Sequence, residues 1–127
     1  MSELTTIRSE LKLAKDDILP IGVGFLGWVL DGIDASKEQD PRLETVLAEK
    51  PSAVWFAFGH KREDGEGLRR YVKRVREYDA GRAGHRTLVF VIVNSVEDAV
   101  RATNEWGVDG LVVQGELMFK WMVLTRC

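Results

Sequence analysis

Four short apolar, charge-free runs recur along the chain, starting near positions 19, 53, 87 and 109. Each is continuous in its apolar character rather than alternating. That pattern belongs to strands buried on both faces. The clearest is Thr87-Leu88-Val89-Phe90-Val91-Ile92-Val93, which is rich in β-branched residues. The segments between the runs are long enough for crossover helices, as parallel neighbours require. The expected order is αβαβαβαβ, a parallel sheet with helices packed on it. A doubly wound sheet and part of a (β/α)8 barrel both fit. A whole barrel needs about 250 residues. This chain has 127, so it can hold at most half of one.

Helical spacing fills the gaps. Leu4, Ile7, Leu11 and Ala14 share one face of a helix expected over residues 3–15. Residues 31–39 read as a polar surface loop. Asp40 is a candidate cap ahead of Pro41, and Leu43, Val46 and Leu47 form the stripe of the helix that follows. Lys50-Pro51 stops that helix. Leu68, Tyr71, Val72, Val75 and Tyr78 mark a third helix, and Gly81 and Gly84 lie in the turn after it. Ser95, three places before Asp98, predicts a capped start for a fourth. Its expected core face is Val96, Ala99, Val100 and Thr103, and Gly107 ends it. In residues 116–127 the apolar positions fall nearly all round a helix. A buried C-terminal helix and a foreign tail both fit.

Charge and cysteine content narrow the function classes. The formal net charge of −2 argues against a surface built to neutralise phosphates. One cysteine, Cys127, makes neither an internal disulfide nor a cysteine-based zinc site. No apolar run reaches the roughly 18 residues of a membrane span, and residues 1–17 lack the apolar core of a signal peptide. The expected setting is the cytoplasm.

Ligands of parallel α/β sheets collect beyond the carboxyl ends of the strands. The loops there are residues 22–28, 59–67, 93–95 and 114–115. Gln114 closes the fourth run, where its amide can both donate to and accept from a flat heteroaromatic ligand. Gly115 leaves backbone N–H groups free to face a phosphate. His60, Lys61 and Arg62 are diluted by neighbouring acids and read as a solvated loop. His85 precedes its strand, at the end that serves stability. Trp55, Phe56, Phe58 and Phe90 read as core, whereas Trp28 follows a glycine-rich stretch and stands at the expected mouth of a site. No nucleophile-plus-base pair and no metal-ligand spacing is present, so no catalytic residue is assigned. Gly22-Val23-Gly24-Phe25-Leu26-Gly27 spells a dinucleotide fingerprint, but no clean helix follows it.

Four segments in order carry a family resemblance. They are residues 19–28, the strand Val54-Trp55-Phe56-Ala57-Phe58-Gly59, residues 93–99, and Gly107-Val108-Asp109-Gly110-Leu111-Val112-Val113-Gln114-Gly115. Residues 1–115 resemble the nitronate monooxygenases, also called 2-nitropropane dioxygenases, most of all the fungal ones. The resemblance implies a (β/α)8 barrel with non-covalent FMN, oxidising alkyl nitronates with molecular oxygen. The four strands would be the third to sixth of that barrel. Gly22, Val23 and Gly24 match the segment passing near the flavin ring, and Gln114 and Gly115 match the pair beside the flavin. Many relatives carry asparagine where Gly24 stands and a polar residue near Ile92. The family continues after Gly115 with a glycine-rich segment that carries the catalytic histidine. Here Glu116-Leu117-Met118-Phe119-Lys120 follows, and no histidine comes later. The break at Glu116 is what a frameshift, retained intron or faulty gene model leaves. The resemblance thus implies an inactive fragment. The alternative is a non-catalytic α/β interaction domain that dimerises, as a homo-oligomer, through open sheet edges.

Overall fold

The computed structural model describes residues 3–27, 30, 41–57 and 68–114, and the backbone of 121–125. Among the described residues, four helices, α1 (Glu3–Glu10), α2 (Arg42–Ala48), α3 (Arg69–Ala80) and α4 (Val96–Asn104), alternate with four strands, β1 (Leu19–Leu26), β2 (Pro51–Ala57), β3 (Leu88–Val93) and β4 (Gly110–Gln114). A fifth strand, β5 (Trp121–Thr125), follows. Strands β1 to β4 are parallel and lie in the order of the sequence, and β5 joins β4 antiparallel. The αβαβαβαβ reading therefore holds, with one strand added. Residues 121–125 form neither the helix that one reading expected nor any part of one. No described helix is long and apolar enough to cross a membrane.

One core holds the layers together. Val54 and Phe56 of β2, Val89 and Val91 of β3 and Leu111 of β4 share it with Leu43 and Leu47 of α2, Tyr71, Val72 and Val75 of α3 and Ala102 of α4. By register, Val23 and Phe25 stand beside Val54 and Phe56 on the same face. Phe25, Phe56 and Tyr71 stack in series, with ring centroids 5.6 and 5.7 Å apart. All the buried helix residues in this core meet one face of the sheet.

The other face differs from the expectation that continuous apolar strands are covered on both sides. Burial alternates along β1, and Gly22, Gly24 and Leu26 are exposed. Trp55 and Leu88 are exposed on the same side. The runs are apolar on both faces, but among the described residues helices cover only one.

Local details decide where the helices stop. Lys12 takes a left-handed φ of 56°, so α1 ends at Glu10 rather than running to residue 15. Arg8, almost buried, donates to the carbonyls of Ala14 and Asp17 at 2.8 and 2.6 Å, and to the Glu49 carbonyl and carboxylate. These bonds tie the turn after α1 to the end of α2. Lys50 is left-handed as well (φ 53°) and ends α2 ahead of Pro51. The Ser95 side chain accepts from the Asp98 N–H at 3.1 Å, as the capped start predicted. Asp40 lies outside the described residues.

The stripe on α4 is corrected. Ala102 is buried and Ala99 packs on the core, but Val96 and Val100 are 82% and 52% exposed. The spacing is helical, but this flank of α4 borders an open groove toward the end of β4 instead of packing into the core.

The Asp109 carboxylate locks the amino ends of β3 and β4. Asp109 accepts from the Val89 N–H at 2.8 Å and from Arg76 at 2.7 Å, and it pairs with Arg86. Burial alone would raise its pKa. The Arg76 hydrogen bond, the Val89 N–H and the charges of Arg76 and Arg86 together outweigh burial and hold it below the ordinary 3.8. A carboxyl depressed on folding contributes stability above its unfolded pKa and loses it as pH falls through the folded value. Asp109→Asn is therefore expected to be less stable than the parent at about pH 7, with the gap closing below about pH 4. Urea midpoints of both proteins across that range check this. A gap that stays constant into acid would contradict it.

Candidate functional site

The carboxyl ends of the strands carry two separate grooves. The first, about 390 Å³, lies between the end of β1 and the start of α2 and is lined by Gly24, Leu26, Leu30, Arg42, Thr45 and Val46, with Phe25. The Thr45 hydroxyl is already committed, donating to the Pro41 carbonyl at 2.8 Å. The second, about 370 Å³, lies between α4 and the end of β4. Asn94, Ser95, Val96, Val100, Val113 and Gln114 line it, with Ala99. The Ser95 oxygen there serves as the helix cap. Both grooves are largely apolar.

The expected site residues are spread rather than gathered. Gly22 and Gly24 lie on the helix-free face of β1, whereas Val23 lies on the helix side. Gln114 lines the second groove. In register, Gly24 stands beside Trp55, then Phe90, then Gly110. Three strand spacings make that about 14 Å, and Gln114 lies four residues, about 13 Å, further along β4. Gly115, Trp28, Phe58 and the loop with His60, Lys61 and Arg62 lie outside the described residues.

Trp55 explains the glycines. A Cβ on Gly22 would stand 2.6 Å from Trp55 Cζ3, and one on Gly24 would stand 2.6 Å from Cε2 and collide with Nε1. The indole lies across both positions, so glycine there makes room for a ring of the same protein. Trp55 thus departs from its core reading: it is 38% exposed and faces away from Phe56, which is fully buried. The signal was the Gly-x-Gly spacing in one strand beside a tryptophan in the next. Gly24→Ala is expected to lift the indole off β1, shifting the Trp55 emission to the red at a cost of about 1 kcal/mol. Emission spectra read against Trp55→Phe test this. An unshifted spectrum would contradict the packing.

His85 lies at the opposite end of the sheet. Its ring nitrogen is 3.4 Å from the Thr87 hydroxyl. Burial first, then the nearby Arg82 charge, lowers its pKa below 6.5. Its neighbours there are the structural groups Asp79, Arg82 and Thr87. Among the described residues no three His, Cys, Asp or Glu side chains gather as metal ligands.

The described residues do not fit a flavin. The Trp55 ring occupies the ground over Gly22 and Gly24, and Gln114 is too distant to share one ring system with them. No family model, no curated protein and no solved structure matches the chain.

Proposed function

We propose that this chain is a non-catalytic stretch of a (β/α)8 barrel of the nitronate monooxygenase type. One observation carries the reading: four parallel strands in sequence order, with helices on one face only among the described residues. A doubly wound sheet reverses its strand order and carries helices on both faces. A stretch of a (β/α)8 barrel does neither, and its helix-free face is the barrel interior.

In an intact relative, FMN would supply the redox chemistry and the protein would position an alkyl nitronate and a base. This chain offers neither base nor cradle. No histidine follows Gly115, and Trp55 covers the glycines that the resemblance places near the flavin. The chain binds FMN weakly or not at all and turns over no nitronate. Its single cysteine is in keeping with a reducing cytoplasm. Oxygen uptake by purified chain mixed with FMN and an alkyl nitronate tests the reading. Uptake equal to the protein-free mixture is expected, and saturable protein-dependent uptake would overturn it.

An interaction domain pairing through sheet edges is the second reading. β1 favours it, since among the described strands it has a neighbour on one side only. Pro20 and a register shift between Leu19 and Gly22 weaken that edge as a template.

A further inference from the structure

We infer that the helix-free face of the sheet packs against the same face of a second copy of this chain. The inference goes beyond the barrel reading and does not depend on flavin chemistry.

The face is apolar and uncovered among the described residues. Leu26 and Leu88 are 43% exposed and Trp55 38%. Phe90, Ile92 and Val112 are half-buried between them. A parallel sheet in water is almost always covered on both faces. Among the described residues this one has its helices on one.

Charge points to a second copy as the occupant. The chain carries 20 acidic and 18 basic residues, yet none lies in any of the five strands. A two-fold interface sets a surface against itself, so any charge near the axis would meet its own kind. A face without charges escapes that repulsion and desolvates no ion on association. A partner chosen by charge would find nothing on the strands of this face to read.

Area is sufficient. Five strands at about 4.8 Å and five residues at about 3.3 Å make a plate of about 24 by 17 Å. With side-chain relief, two such plates bury on the order of 1,000 Å², the lower bound for a specific interface. Two twisted sheets stack face to face about 10 Å apart with strands within about 30° of alignment, as in a β-sandwich. The sheet edges take no part in this arrangement.

Sedimentation velocity of the full chain across a concentration series tests the inference. A closed dimer of the 14.3 kDa chain is expected in the micromolar range. Leu88→Lys is expected to raise the dissociation constant at least tenfold. Val100→Lys, exposed on the helix side, is expected to leave it unchanged. Circular dichroism establishes that each variant is folded, and Ile92→Lys carries the same readout should Leu88→Lys not fold. A wild-type monomer throughout the series would overturn the inference. So would open-ended association, a Leu88→Lys dimer as tight as wild type, or dissociation caused by Val100→Lys.

Discussion

Asp79→Ala is expected to remove about 3–5 kcal/mol of folding stability, the cost of breaking a buried ion pair from one side. The Asp79 carboxylate is 7% exposed. It accepts from the Thr87 N–H at 2.7 Å, the Thr87 hydroxyl at 3.2 Å and Arg82 at 2.8 Å. Arg82 also donates to the Leu47 carbonyl at 2.6 Å. The group thus ties the last turn of α3 to the start of β3 and to the end of α2. Alanine leaves a buried N–H without its acceptor and a largely buried guanidinium without its counter-charge. A domain of this size has only about 5–15 kcal/mol in total, so much of its stability goes. Asp79→Asn keeps one acceptor oxygen and is expected to lose less. Glu77→Ala is the control, because its pair with Lys73 is 3.9 Å long and exposed on both sides. Urea midpoints for the three variants check the order. A midpoint for Asp79→Ala close to that of Glu77→Ala would contradict the lock.

Phe56→Ala is the second large effect, at about 3–5 kcal/mol. Phe56 is fully buried and stands between Phe25 and Tyr71 in the ring stack. Truncating it removes contacts on both sides and leaves a cavity that stiff β-strands close poorly. The neighbouring residue supplies the contrast. Trp55→Ala deletes a larger ring, but one that is 38% exposed on the other face. Its cost in chemical denaturation, measured at concentrations where the chain is monomeric, is expected to be clearly smaller. A Trp55→Ala loss equal to that of Phe56→Ala would mean that both faces of β2 are equally buried, against the one-sided sheet.

Much of the fold was legible because strands and helices announce themselves locally. The uncharged run at β3 and the Ser95 cap read from sequence as they stand in the structure. What sequence could not supply was the neighbour of each face. Val96 and Val100 carry helical spacing but stand on an open groove rather than in the core. Trp55 and Phe56 look alike as aromatic strand residues, yet one covers two glycines and the other fills the core. The left-handed turn at Lys12 has no glycine to signal it. β5 was hidden because its apolar residues show no alternation and sit in a segment apolar all round. The candidate site was less legible than the fold. Gly22, Gly24 and Gln114 were singled out by type and place in the chain, but the strand register keeps them apart.

The most direct test is an absorbance titration of the purified chain with FMN from the near ultraviolet through the visible. A spectrum identical to free FMN at every ratio is expected, because Trp55 lies where the ring would have to approach Gly22 and Gly24. Perturbed flavin bands that saturate at one FMN per chain would contradict this. They would mean that the indole moves aside and that the strand ends still assemble a flavin site.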